Sequence, residues 1–232
     1  STSYVQMESL AHRRTKSLFP EKEMLSFIHP SLDGPVIEVK CIFNWAGITY
    51  IHSRRYYCLE LDFNRTMDEY ANGFGHSHGN YWLGLEHVYN ILQNHPSFIL
   101  QVVFAFDWSW AQGFYYGFNI SDRLDHYRIT INFYSDSSTN PSGDSLTNGA
   151  YNINGRPFST YDNDSSNHDC PGRFKGGWWY LDDPVCSRAN VNGKRTDTSF
   201  ESCWHWQDNF GNRTSFAEVT LRVSRFTGTI IQ

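Results

Sequence analysis

Charge is scarce in this sequence: Asp, Glu, Lys and Arg make up only 19% of its 232 residues. The formal net charge is -5, and no Lys/Arg block exceeds a pair such as Arg13-Arg14 or Arg54-Arg55. A basic footprint for nucleic acid is therefore missing. Long apolar runs are missing as well. The longest, Phe98 to Phe106, is interrupted by Gln101 and falls well short of the ~18 residues that a membrane span needs. The N-terminus lacks the charged-then-apolar layout of a secretion signal, so any such signal is expected to have been removed or to lie outside this stretch. The five cysteines, at positions 41, 58, 170, 186 and 203, contain no CxxC pair, which argues against zinc-ribbon and thioredoxin motifs. His-Glu-x-x-His, P-loop and dinucleotide fingerprints are absent too.

What the chain has instead is aromatic residues: 17% of the total, with 14 Tyr and 8 Trp. A hydrophobic content of 40% with a mean hydropathy of -0.53 describes a soluble globular protein, since disordered chains lack such aromatic surface. N-x-[ST] sequons at Asn64, Asn119, Asn163 and Asn212, together with the spaced cysteines, point to an oxidising, secreted setting. Asn64, Asn119 and Asn212 are the expected glycosylation positions. Asn163 sits in a loop argued below to be folded around other chemistry.

Along the chain, residues 1–26 read as a polar leader with a helical turn around Glu21 to Phe27, ended by Pro30 and the Asp33-Gly34-Pro35 turn. Alternating patterns follow. Ile37, Val39, Cys41 and Phe43, then Ile48 and Tyr50 after Ala46-Gly47, predict a hairpin. Phe98, Leu100, Val102, Phe104 and Phe106 form one face of a long strand, Ile129, Ile131 and Phe133 a shorter one, and Ala217, Val219, Leu221 and Val223 a last one. Short helices are expected around Met67 to Asn72 and Leu85 to Gln93. From Ser135 to Asn212, Gly, Ser, Asn and Asp dominate and periodicity fades, which is the texture of a functional, stapled loop region. The fold class is α+β: a central antiparallel sheet carrying a large irregular lobe.

Five ordered segments carry a resemblance. They are Leu61-Asp62-Phe63-Asn64-Arg65-Thr66 through Gly73-Phe74-Gly75, Asn80-Tyr81-Trp82-Leu83-Gly84-Leu85-Glu86, Phe158-Ser159-Thr160-Tyr161-Asp162-Asn163-Asp164, Gly176-Gly177-Trp178-Trp179-Tyr180, and Asn190-Val191-Asn192-Gly193. Together they resemble the fibrinogen C-terminal domain family of fibrinogen chains, ficolins, tachylectins, tenascins and angiopoietins, with the domain running over 27–232. The resemblance implies an N-terminal disulfide lobe, the central sheet, and a loop-rich lobe holding calcium and ligand. It implies a binding module and no enzyme.

The run Asp162-Asn163-Asp164 places two carboxylates at i and i+2 on a polar loop. Calcium takes six to eight oxygens, mixing carboxylates with backbone carbonyls. A bare D-x-D is more often a solvated turn. The resemblance implies Ca2+ here, on the Asp162 and Asp164 side chains and the carbonyls of Ser166 and His168. It also implies a bridge from Cys170 to Cys186, closing a loop of roughly 15 residues and worth about 3 kcal/mol.

In acetyl-group-binding members, aromatic rings line a pocket beside the second cysteine, and the peptide bond entering that cysteine is cis. That maps Phe174 and Phe200 as walls, Val185-Cys186 as the cis bond, and the Cys186 and Ser187 amides as donors to a ligand carbonyl. A methyl wants aromatic faces and its oxygen wants fixed donors, although paired buried rings are as readily plain core. The sequence departs from that pattern: Ser187 replaces a histidine, the walls lack phenolic hydroxyls, and Leu181 to Val185 is about three residues longer than usual. Asn212 also takes a rim position.

Cys41, Cys58 and Cys203 remain. The family's upstream partner for Cys41 is missing, so Cys41 is expected to pair with Cys58, leaving Cys203 free or intermolecular. Gly143-Asp144-Ser145-Leu146 spells the opening motif of a lipase/esterase class, but it lies mid-chain in a loop, not after a first strand. His76-Ser77-His78 reads as a solvated turn. Two functions stay open. One is a secreted calcium-dependent lectin for acetylated or glycan ligands, of the innate-recognition kind. The other is a protein ligand of angiopoietin-like or tenascin-like type, docking on a receptor or matrix protein. The ring pair and the calcium loop favour the lectin, which is the expected function; the lost histidine, the longer link and the rim change favour the protein ligand, which is the alternative. Oligomerisation through segments outside the domain is expected in either case.

Overall fold

A computed structural model describes residues 22–31, 34–43, 47–195, 197, 199–211 and 216–226. Asn212 and the first 21 residues of the expected leader lie outside these. The described residues form thirteen strands: β1 (Glu23–Ile28), β2 (Ile37–Ile42), β3 (Ile48–Arg55), β4 (Phe74–Gly75), β5 (Tyr81–Trp82), β6 (Phe98–Ala105), β7 (Trp110–Tyr116), β8 (Asn119–Ile120), β9 (Ile129–Thr130), β10 (Phe133–Asp136), β11 (Ala189–Asn190), β12 (His205–Trp206) and β13 (Glu218–Arg225). The alternating segments supply β2, β3, β6 and β13, whereas the strand expected through Ile129, Ile131 and Phe133 divides into β9, paired with β8, and β10, paired with β7. The main sheet runs β1-β2-β3-β13-β6-β7-β10, with β5 also on β3 and β4 on β5. Every pairing in it is antiparallel. The C-terminal strand β13 sits at its centre, between β3 and β6, so the fold closes only when the last strand arrives. Leu100, Val102, Phe104, Val219, Leu221 and Val223 are all buried there.

Two helices follow the expected positions. Helix α1 (Met67–Asn72) starts at a capping box, in which Thr66 accepts from the Glu69 amide and Glu69 accepts from the Thr66 amide. Helix α2 (Leu85–Leu92) buries Leu85, Val88 and Leu92, the i, i+3, i+7 stripe of a one-faced helix.

Of the segment expected as a helical turn, Glu21 lies outside the described residues and Glu23 to Phe27 belong to β1, which pairs with β2 from Glu23↔Ile42 to Ile28↔Ile37. Long-range partners override the local pattern. Glu23 meets Lys40 Nζ at 2.6 Å and accepts from the Tyr50 hydroxyl at 2.6 Å. The expected Cys41–Cys58 bridge is also corrected, since both thiols are free, as is Cys203. Cys41 lies opposite Thr49, whereas Cys58 lies beyond the far end of β3, so the hairpin's own register keeps them apart.

The loop-rich lobe is held by side chains more than by ladders. Its one disulfide among the described residues joins Cys170 to Cys186, Cys170 opening the short helix α3 (Cys170–Phe174). The Trp-Trp-Tyr run is core: Trp178, Trp179 and Tyr180 are all buried. The Tyr70 hydroxyl donates to the Phe63 carbonyl at 2.7 Å and accepts from the Gly177 amide at 2.9 Å. A Cβ on Gly177 would lie 2.7 Å from the Tyr70 ring and 2.8 Å from Phe158, so only glycine lets the lobe approach α1 this closely.

Candidate functional site

The expected cation loop follows a tight turn in which the Thr160 and Asn163 backbones exchange hydrogen bonds of 3.1 and 3.0 Å. Asp162 is exposed. Its Oδ1 accepts from the Thr160 hydroxyl at 2.7 Å and from the Met67 amide, in the first turn of α1, at 3.0 Å. Asp164 Oδ1 accepts from the Ser166 amide at 2.8 Å. Ser166 is buried, and its hydroxyl accepts from the His168 and Cys170 amides, each at 3.3 Å. Asn167 and Asp169 adopt φ of 60° and 53°, in the left-handed region.

The His168 ring is directed to Asp182, 3.7 Å from its carboxylate, and Asn167 donates to the same oxygen at 3.1 Å. No hydrogen bond among the described residues uses the second oxygen of Asp162 or Asp164, or the carbonyl of Ser166 or His168. Among the described residues no three His, Cys, Asp or Glu side chains converge on a metal-sized site. A cation here would need those backbone oxygens, and the donor set of two carboxylates and two carbonyls fits a hard cation.

The ring site is built differently from the expectation. Phe174 is 2% exposed and packs edge-on to Tyr180 at 5.4 Å. Phe200 is half-buried. Both contact the same imidazole: His205 lies 4.3 Å from Phe200 and nearly parallel to it, and 5.8 Å from Phe174. The expected cis bond is corrected, because all peptide bonds among the described residues are trans. The two expected amide donors are corrected as well. The Cys186 amide donates to the Asp183 carbonyl at 2.9 Å, and the Ser187 amide to the Val185 carbonyl at 2.7 Å. The longer Leu181–Val185 link explains both: its extra residues fold into a turn, closed by the Leu181 amide on the Cys186 carbonyl at 2.8 Å, and that turn takes up the donors. Cys186 sits at φ 62° as a result.

Sequence reasoning missed His205, Arg173, Glu201 and Asn190. Arg173 Nε and a terminal nitrogen bind the two Glu201 oxygens at 3.1 and 2.5 Å. Its other nitrogen donates to the Pro184 carbonyl at 2.9 Å and contacts Cys186 Sγ at 3.3 Å. The clamp thus joins α3, the inserted turn and the Phe200 segment. The one available signal was charge: Arg173 precedes one ring wall and Glu201 follows the other. Burial is the main influence on His205 and lowers its pKa to about 4, against the pull of the Cys203 and Phe200 carbonyls. The ring is therefore neutral near pH 7. Its Nδ1 lies 2.9 Å from the Cys203 carbonyl, which assigns the proton to Nδ1.

The remaining sequence signals are structural. Ser145 is buried and accepts from the Asp208 amide at 2.8 Å, as a packing hydroxyl would. Asn119 is exposed and Asn64 half-exposed, so each has surface for a glycan.

Residues 20–225 match the family model for the C-terminal globular domain of fibrinogen beta and gamma chains. The protein is 34% identical to chicken (Gallus gallus) tenascin over 71% of its own length and 9% of that protein's. Human (Homo sapiens) ficolin-3 is 30% identical over 70% of this chain and 52% of its own length. The curated relatives it matches are longer proteins, of which it spans between 9% and 52%. Among solved structures, the fibrinogen-like globe domain of human ANGPTL6 is similar with a TM-score of 0.75 and 27% identity, covering 89% of this chain and 90% of that one. Lamprey fibrin D-dimer, solved with a Gly-His-Arg-Pro-amide peptide ligand, shares the fold at a TM-score of 0.71 and 19% identity, covering 100% of this chain and 86% of that one. The protein belongs to the fibrinogen C-terminal globular domain family, and is a recognition module of that family.

Proposed function

We propose that this is a secreted, calcium-holding recognition domain whose loop-rich lobe binds a protein partner, in the manner of an angiopoietin-like or tenascin-like ligand. The observation that carries the choice is the state of the ring site. An acetylated sugar needs open aromatic faces and free donors for its carbonyl. Here the Cys186 and Ser187 amides are already bonded and His205 stands against both rings. Displacing a bonded carbonyl from a buried amide forfeits about 1 kcal/mol for each bond not remade, more than one acetyl methyl returns at about 0.8 kcal/mol. Calcium, held by Asp162, Asp164 and the carbonyls of Ser166 and His168, would supply a fixed positive centre that draws the loop into one conformation.

The glycan reading keeps one support: Phe200 is only half-buried, and the sequence is similar to ficolin-3. The two readings separate in one experiment on the multimerised protein, since single sites of this kind are weak without avidity. Cells treated with protease should lose calcium-dependent binding of the multimer, while cells treated with glycosidases should keep it. N-acetylglucosamine resin should not retain it in calcium or in chelator. Calcium-dependent retention on the resin would transfer the function to the lectin reading.

A further inference from the structure

We propose that His205 is an internal occupant of the slot between Phe174 and Phe200, and that it decides what this site accepts. The inference deepens the protein-partner reading, on which its functional meaning rests, but its physical basis is the packing of the lobe alone.

The imidazole is stacked on Phe200 and meets Phe174, while the two phenyl rings make no ring contact with each other among the described residues. It takes the place that a flat ligand group would take. The residue is 1% exposed, yet its Nε2 has no hydrogen-bond partner. A buried polar atom without a partner is uncommon and calls for a bridging water or a ligand group.

The polar lining points to one class of group. Asn190 is the cross-strand partner of His205 on β11 and β12. Its Nδ2 donates to the Phe174 and Glu201 carbonyls at 2.7 and 2.8 Å, which fixes the orientation of the amide. Asn190 Oδ1 is then left buried and without a partner. The Cys203 carbonyl accepts from the imidazole at 2.9 Å. The free group is thus an acceptor, Asn190 Oδ1, which the Cys203 carbonyl would join once the imidazole is gone, and the nearby donors, the Cys186 and Ser187 amides, are spent. A slot of this polarity takes a flat, neutral group carrying N–H, such as an imidazole or a side-chain amide presented by a peptide. It disfavours an acetyl carbonyl. The Arg173–Glu201 ion pair clamps the two walls from their sequence neighbours, so withdrawal of His205 would leave the slot standing.

Chemical rescue tests this without any partner. His205→Gly should melt about 5–10 °C below the parent, the scale of a large-to-small change in a well-packed region. At about pH 8, where free imidazole is largely neutral, tens of millimolar imidazole should restore at least half of that loss. 1-Methylimidazole at the same concentration, equally flat but without an N–H, should restore clearly less, and the parent should respond to neither. Equal effects of the two compounds, or no effect of either, would overturn the proposal. Should the glycine variant fail to fold, His205→Ala serves with saturation-transfer NMR. Ring-proton saturation should reach imidazole in the variant and not in the parent, and any other pattern counts against the slot. Because neither readout involves cells, resin or calcium, failure here leaves the recognition reading to its own test.

Discussion

Among the described residues, two histidines are fully interior, His52 on β3 and His205 on β12, at 0% and 1% exposure. Burial pushes the pKa of His52 well below its usual 6.5, and the Arg54 guanidinium pushes the same way; His205 falls to about 4. A base depressed in the folded state binds its proton first in the unfolded chain, so stability falls as pH drops below about 6.5, and rises with pH through the same window. Each histidine should contribute a slope of about 1.4 kcal/mol per pH unit, until its folded pKa is reached. Glu23 works in a lower window. Burial alone would raise its pKa, but Lys40 and Arg55 hold it at about 2, so its contribution is present above about 4.5 and lost toward pH 2. Urea unfolding at several pH values should therefore show a decline beginning near 6.5, and His205→Gln should shallow it by about one proton. A flat stability between pH 6.5 and 4.5 would show that these rings titrate normally.

Asp162 links two elements, since one of its oxygens receives the first-turn amide of α1 while the other is uncommitted. The two roles can be separated by choice of substitution. Asp162→Asn keeps the Oδ1 acceptor and removes the charge; Asp162→Ala removes both. A ligand bound only by the folded state at 100 times its Kd adds about 2.7 kcal/mol. Calorimetry should show that rise in the parent and its near loss in both variants. In chelator, Asp162→Asn should melt with the parent, whereas Asp162→Ala should be weaker by about 1 kcal/mol, the usual worth of a side-chain acceptor at a helix start. Identical parent curves in calcium and chelator would remove calcium from the account. Helix α1 lies where the sequence predicts it, and the capping box of Thr66 and Glu69 that starts it is a local device. The α1 connection to Asp162 was not, because it joins residues 95 positions apart.

For the whole molecule, the sheet and the loop-rich lobe meet at Arg54. Its side chain leaves β3, is buried against Phe63 and Trp204 at 4.7 and 5.0 Å, and donates to the Val191 and Gly193 carbonyls. Arg54→Met keeps much of the packing but strands two carbonyls, at about 1–3 kcal/mol each. Hydrogen exchange should then quicken across residues 189–206 well before β6 and β13 lose protection. Equal acceleration everywhere would mean that Arg54 supports the fold at large and not the junction.

Periodicity and local chemistry carried much of the sheet. The alternation at 98–106 and 217–223, the two helices and the Asp162–Asp164 run depend on neighbours within a few residues, where covalent geometry alone sets which side chains share a face. Contacts between distant segments are decided otherwise. Glu23 became a strand residue because Lys40 and Tyr50 needed its carboxylate. Cys41 and Cys58 stayed apart because register, not loop length, placed them. The fate of the ring site turned on the Leu181–Val185 turn, whose Asp183 and Val185 carbonyls take up two amides, and on an imidazole from β12 set against both rings. Backbone hydrogen bonds and side-chain volume are shared among segments far apart in sequence, and only the closed fold allocates them. The sequence by itself determined the family and the long strands β2, β3, β6 and β13; which groups the site has left to offer a ligand was decided by tertiary packing.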